Sequence, residues 1–216
     1  MQRAALFDMD RTLVQVNTAG LYVRWQFRNG EARARDLAQM LWWLAQYTMG
    51  VVDAEAIARH AALGLRGQGE ADVSDKLRRF VKNEVMQHVA AAARNEVTRM
   101  RERGYLCAIL TSSTSYSALP LGEELGIEHI LGSRLLVADG RFTGEYGSPL
   151  CYGPGKIAAA EQWASEHAID LRESVFYTDS ISDLPMLERV GTPVAINPDP
   201  RLWLLARRRG WRTEKW

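Results

Sequence analysis

A chain of 216 residues can bury a full hydrophobic core and has room for one α/β unit with a smaller insert. Charged residues make up 25%, the formal net charge is +1 and the pI is about 7.8, so no global field draws the chain to nucleic acid. No basic segment leads into an apolar signal core, and no stretch reaches the roughly 20 apolar residues of a membrane span, so the expectation is a cytoplasmic protein.

The chain opens on an apolar run, Ala4 to Phe7, that stops at Asp8-Met9-Asp10 and resumes after Arg11-Thr12. Residues two apart in a strand point the same way, so Asp8 and Asp10 leave its carboxyl end side by side, where open α/β sheets put ligands. Two like charges so close invite a hard dication such as Mg2+, and a carboxylate can also act as a nucleophile toward phosphorus. An acidic turn at a strand end is the plainer reading of this tripeptide taken alone.

Residues 15 to about 91 contain no convincing strand and read as a helical insertion, with amphipathic stretches over Ala32 to Tyr47 and Val73 to Val89. Leu37, Met40, Leu41, Leu44 and Thr48 recur at helical spacing, and Trp42 and Trp43 broaden that face. Packing inside the insertion is preferred over a lipid-facing or subunit-facing role, which leaves a homodimer open. The glycines of Gly64 to Gly69 break the helical pattern.

The next helix, Ala90 to Arg103, stops at Gly104 and returns the chain to a strand over Tyr105 to Leu110, which ends in Thr111-Ser112-Ser113. A helix ending near Gly126 and a short strand from His129 to Leu131 follow. Asp139-Gly140 then joins Arg134 to Val137 and Phe142 to Tyr146 in a hairpin. A helix opening near Lys156 carries Ile157, Ala160, Trp163 and Ala164 on one face. A strand over Val175 to Thr178 runs into Asp179-Ser180-Ile181-Ser182-Asp183. A helix over Leu184 to Val190, a strand from Val194 to Ile196 and a helix from Pro200 to Arg209 complete the pattern. Strands alternating with helices imply an α/β, doubly wound, mostly parallel Rossmann-like sheet with a helical cap inserted after the first strand. The core is expected over residues 1–14 and 92–216, and the cap over 15–91.

Cys107 and Cys151 lack C-x-x-C spacing and read as structural thiols, while His60, His88, His129 and His167 show no metal-ligand pattern. Gly153-Pro154-Gly155-Lys156 is not a nucleotide-binding P-loop, because residue 150 is leucine where glycine is required and Ile157 follows the lysine.

The order, spacing and strand-end placement of Asp8-Met9-Asp10, Thr111-Ser112-Ser113, Lys156 and Asp179 to Asp183 resemble the haloacid dehalogenase-like hydrolases, in the subclass that contains the phosphoserine phosphatases. The resemblance implies a Mg2+-dependent phosphomonoesterase acting on a small soluble phosphate ester. In it Asp8 is the nucleophile that becomes phosphorylated, and Asp10 is general acid and base. Thr111 with the N–H groups of Ser112 and Ser113 holds phosphoryl oxygens at a helix N-terminus, and Lys156 neutralises the phosphorylated aspartate. Mg2+ is held by Asp8, Asp179 and the Asp10 carbonyl, with Asp183 orienting waters; an N-cap is the plainer role for Asp183. A phosphotransferase to a hydroxyl acceptor and a non-catalytic binding or scaffold protein are the competing readings.

Several positions depart from that subclass. Thr111-Ser112-Ser113 stands where Ser-Gly-Gly is usual, Thr178-Asp179-Ser180 where Gly-Asp-Gly is usual, and Arg11 where a small or polar residue is common. Asn17, seven residues after Asp10, stands where phosphoserine phosphatases resemble one another in carrying a glutamate that receives the substrate's ammonium, so phosphoserine is not the expected substrate. Asn17, Tyr22, Arg24 and Arg28, with Arg11, are the candidates for reading the leaving group, and Glu31 or Asp36 could compensate for the missing acid.

Overall fold

The computed structural model describes residues 2–33, 35, 38, 42 and 54–216. Most of the stretch from Ala32 to Tyr47, with Asp36 and Trp43, falls outside them; Trp42 is described and exposed.

Strand β1 (Ala4–Phe7) is buried along its whole length. A strand apolar at every position is what a parallel sheet covered on both faces requires. Helix α1 (Thr18–Arg28) follows, then α2 (Ala54–Leu65) and α3 (Glu70–Phe80). Winding then widens into a π-helical turn over Val81–Val85 and tightens into a 3-10 turn over Met86–His88. The predicted helical stretch over Val73 to Val89 is thus continuous as far as His88, with a change of pitch at Val81, and Val89 is extended and bridges Val14.

Helix α4 (Ala91–Glu102) ends where Gly104 takes a left-handed φ of 78°. Strand β2 (Leu106–Thr114), helix α5 (Ser115–Leu125) and strand β3 (His129–Ser133) follow, then a hairpin of β4 (Leu135–Ala138) and β5 (Arg141–Tyr146). The hairpin turns through Asp139 and Gly140 at φ 51° and 70°, the two positive values that a type I′ turn demands. Helix α6 (Pro154–Glu166) leads to β6 (Val175–Thr178), a 3-10 turn over Ile181–Asp183, the short helix α7 (Leu184–Leu187), β7 (Thr192–Ile196), helix α8 (Pro200–Arg209) and β8 (Arg212–Glu214).

The main sheet has the order β3-β2-β1-β6-β7-β8, all neighbours parallel. Chain order runs outward from β1 on one side and from β6 on the other. The crevice at the carboxyl ends of β1 and β6 is therefore the switch point at which such sheets bind ligands.

One face of the sheet, with Phe7, Ile109, Tyr177 and Val194, packs against α4 and α5. Its hydrophobic cluster runs without interruption into Val73, Leu77, Phe80, Val81 and Val85 of the inserted segment. The other face, with Leu6, Leu110, Phe176 and Ala195, packs Ala160 and Trp163 of α6, Met186 of α7 and Leu202 of α8.

Several boundaries differ from expectation, three of them with a clear cause. Strand β2 continues past Leu110 because pairing with β3 resumes beyond a register shift, with Thr114 opposite Ser133. The helix expected over Leu184 to Val190 shortens to four residues after its 3-10 lead-in. Strand β8 was not anticipated: it is short and mostly exposed, and pairing to β7 is what makes it a strand.

Candidate active site

Asp8 lies just beyond β1, and its N–H donates to the Tyr177 carbonyl of β6 at 2.8 Å. That bond joins the ends of the two switch-point strands, whose aromatic rings Phe7 and Tyr177 also stack at 4.7 Å. The Lys156 ammonium, in the first turn of α6, is buried and donates to Asp8 Oδ1 and to Asp183 Oδ2, each at 2.7 Å. Thr178 Oγ1 donates to the same Asp183 oxygen at 2.6 Å. Asp183 makes no side-chain hydrogen bond as the cap of α7, so its carboxylate serves the lysine and the threonine.

Asp10 is half-buried. Its Oδ1 accepts from the Thr18 N–H at 2.9 Å, and its Oδ2 lies 3.4 Å from Asn17 Nδ2. The Asn17 side-chain oxygen meanwhile caps α1 by accepting from Gly20 N–H. Both ends of that amide are spent on the fold, and it borders Asp10.

Two buried carboxylates, Asp8 and Asp183, thus share one buried ammonium, and a third, Asp179, is buried within its electrostatic reach. Burial pushes Asp8 from 3.8 up to about 7; Asp183 and Asp10 add to the rise, and Lys156 opposes it. Burial likewise drives Asp179 up to about 8, helped by Asp8 and Asp183 and opposed by Arg11 and Lys156. Asp10 is raised by desolvation, against the hydrogen bonds from Thr18. Burial works against the Lys156 charge, yet Asp183 and Asp8 outweigh it and hold the ammonium protonated.

Excess negative charge in a dry site is the donor chemistry of a hard dication. Among the described residues no three Asp, Glu, His or Cys side chains converge as a complete cage. A Mg2+ site needs no such cage, since the ion takes one or two carboxylates and keeps waters. Asp8 and Asp179, close enough for Asp8 to raise the proton affinity of Asp179, could hold such an ion.

The raised values set a pH dependence. Between pH 3.8 and about 8 the native state keeps protons on Asp8 and Asp179 that the unfolded chain releases. The contribution of these two carboxyls to metal-free stability is therefore greatest at the acid end and is lost as pH rises to 7 and 8, by up to roughly 1.4 kcal/mol per pH unit for each proton, levelling off above. Mg2+ must displace those protons, so it should raise Tm more at pH 8 than at pH 6. Thermal scans with and without Mg2+ check this; an equal or larger shift at pH 6 contradicts it.

The remaining candidates divide. Thr111 is buried, two residues beyond the Ile109 that pairs with Phe7, and so lies level with the Asp8–Asp10 turn. Its Oγ1 accepts from Ser113 N–H at 3.1 Å. Ser112 and Ser113 lie within β2, ahead of α5, which opens at Ser115 behind a Thr114 cap. The N–H groups of Ser112 and Ser113 therefore belong to a strand end and not to a helix N-terminus. Arg11 borders Asp10 and Asp179.

Arg24 donates to the Gly20 carbonyl, and Arg28 reaches Glu84 at 2.5 Å. Tyr22 packs edge-on to Phe80 and against Trp25. Glu31 pairs with Lys76. Cys107 and Cys151 are buried free thiols, pushed by burial up to about 11 and 12. Sequence reasoning missed Thr178 as the partner of Asp183 and Thr18 as that of Asp10. A hydroxyl directly before the strand-end acid was the available sign of the first, whereas the second is a backbone bond with no residue signature.

A parallel sheet that gathers acidic side chains and a buried lysine at its switch point defines an α/β enzyme with an acidic centre. The sequence profile described as haloacid dehalogenase-like hydrolase matches residues 5–188. The chain belongs to the haloacid dehalogenase-like hydrolase family, as an enzyme of the phosphatase type.

It is similar to a histidinol-phosphatase of Neisseria meningitidis serogroup C, 28% identical over 98% of this chain and 97% of the relative. It is also similar to a phosphoserine phosphatase of Mycobacterium tuberculosis, 32% identical over 96% of this chain and 69% of the relative. A solved protein of unknown function from Bordetella pertussis Tohama I superposes with a TM-score of 0.88 at 28% identity, over 99% of this chain and 98% of that one. A phospho-aspartyl intermediate analogue of phosphoserine phosphatase has the same fold, with a TM-score of 0.71 at 20% identity over 99% and 93% of the two chains. Among the described residues no helix is long and apolar enough to cross a membrane.

Proposed function

We propose that the chain hydrolyses a small phosphate monoester by way of a phospho-aspartate on Asp8, with Mg2+ bound. The observation that carries this reading is the buried Asp8–Lys156–Asp183 bridge at the switch point, with Asp10 half-buried two residues beyond Asp8. A carboxylate oxygen of Asp8 attacks phosphorus in line, and the bond from phosphorus to the ester oxygen breaks. Asp10, its proton affinity raised by desolvation, gives a proton to the departing oxygen. Water then attacks the phosphorus of the acyl phosphate, Asp10 takes its proton, and phosphate leaves with the Asp8 carboxylate restored. Lys156 holds an Asp8 oxygen still and offsets negative charge. Asp8 and Asp179, with the Asp10 carbonyl, would hold Mg2+, which would supply the positive charge that lets an anionic nucleophile meet an anionic phosphoryl group. Thr111 holds a phosphoryl oxygen, and the inserted segment of residues 15–91 acts as the cap that excludes water.

Asp10→Asn tests the acid role. A nitrophenolate leaves without help and an alkoxide does not, so the variant should lose on the order of 10²–10⁴-fold in kcat/KM on alkyl phosphates and markedly less on an aryl phosphate. Equal losses on both would remove Asp10 from proton transfer.

Substrate choice follows from Asn17. Its amide caps α1 and faces Asp10, so it cannot neutralise an ammonium as a carboxylate would. Losing that charge-assisted bond should cost phosphoserine on the order of 1.5–3 kcal/mol. A kcat/KM panel of phosphoserine, histidinol phosphate, sugar phosphates and polyol phosphates decides this; a dominant value for phosphoserine sinks it.

A further inference from the structure

The turn after β7, Asn197-Pro198-Asp199, touches both loops of the site and has no part in the chemistry above. Asn197 Nδ2 donates to the Arg11 carbonyl at 3.1 Å, within the loop that carries Asp8 and Asp10. Its Oδ1 accepts from Trp216 N–H at 3.1 Å, and its own N–H donates to the Glu214 carbonyl at 2.9 Å. These partners fix the amide's orientation, since a carbonyl needs a donor and an N–H needs an acceptor. Asn197 and Arg11 both have positive φ, 43° and 56°, a conformation that non-glycine residues keep only where their surroundings over-determine it. The Trp216 ring leans on Tyr177 at 5.5 Å, on the strand that runs into Asp179.

Two residues further on, the Asp199 N–H donates to the Asp179 carbonyl at 2.8 Å, and its Oδ2 accepts from Ile181 N–H at 2.7 Å. Asp179 is thus bracketed by bonds from a single residue. Asp199 Oδ1 accepts from the N–H groups of Arg201 and Leu202, capping α8. A cap needs only that oxygen, and the other is given to the site loop.

We propose that Asn197 and Asp199 are positioning residues that set the spacing between the Asp8–Asp10 loop and Asp179, and through it the affinity of the site for a divalent cation. The inference rests on the reading of Asp8 and Asp179 as Mg2+ carboxylates. Two variants separate this role from folding. Asp199→Ser keeps a hydroxyl that caps α8 but cannot also reach Ile181. Asn197→Asp keeps the acceptor for Trp216 and turns a carboxylate oxygen toward the Arg11 carbonyl.

Each variant should bind Mg2+ about tenfold more weakly by titration calorimetry at pH 8, as residues that orient metal ligands do, with the metal-free Tm close to wild type. Wild-type affinity in both variants overturns the proposal, as does a loss seen only alongside a matching fall in metal-free Tm. A wild-type protein that does not bind Mg2+ overturns it too. A wild-type protein that binds Mg2+ and hydrolyses no phosphate ester removes the phosphatase reading and leaves this one standing.

Discussion

Lys156→Met is expected to destabilise the protein by about 3–5 kcal/mol and to cut kcat/KM on the order of 10³-fold. Methionine fills much of the lysine's volume, so the effect is one of charge. The variant leaves Asp8 and Asp183 buried without the ammonium that each meets at 2.7 Å. The orphaned carboxylates respond by holding their protons, so the loss should be smallest near pH 5 and grow toward pH 8. Chemical denaturation at the two pH values measures this, and a pH-independent loss of less than about 1 kcal/mol would show that the lysine is not the cluster's counter-charge.

Asp8→Asn should act in the opposite direction on stability while removing turnover. An amide is no nucleophile, and activity on an aryl phosphate with Mg2+ should fall by on the order of 10⁴-fold or more. Yet Asp8 is ionised at pH 8 only against burial and the nearby Asp183, the forces that push it up to about 7. Asparagine keeps an oxygen for Lys156 and drops the charge, so the metal-free variant should be at least as stable as wild type at pH 8, and Mg2+ should stabilise it less. Functional centres are commonly bought with stability in this way. Full activity sinks the nucleophile assignment; lost activity with a large drop in metal-free Tm would mean that the carboxylate serves folding instead.

What could be read from the residues alone follows from how local each signal is. Strand β6 and helix α8 begin and end where expected, because Val175 to Thr178 is an uninterrupted β-prone run, and Asp199, Pro200 and Gly210 mark cap, first turn and stop. The charged candidates were visible too: Asp8 and Asp179 sit at the ends of such runs, and Lys156 follows the Gly153-Pro154-Gly155 turn that opens its helix. Pairing between distant segments was not visible. Thr111 to Ser113 became strand through β3, and Arg212 to Glu214 through β7. The bond from Arg28 to Glu84 spans 56 residues and neither end announces it. Asn17 was legible as a missing carboxylate, while its double use as cap and neighbour of Asp10 depends on how α1 leaves the loop. The long amphipathic stretch with Leu37 and Leu44 lies outside the described residues.

The central place of β1 carries a kinetic consequence. This strand is made before the rest of the sheet, yet one of its two neighbours, β6, is made some 170 residues later; Ala4 N–H bonds to Ser174 Oγ across that separation. Until β6 arrives, β1 has an open edge and a greasy face, and closing so long a loop must precede any reward from the contact. Asp8 cannot meet Asp179 before then. The acidic cluster, with its self-repulsion, therefore cannot come together until β6 has been made, and a nascent chain stopped short of residue 175 should carry no trace of the activity.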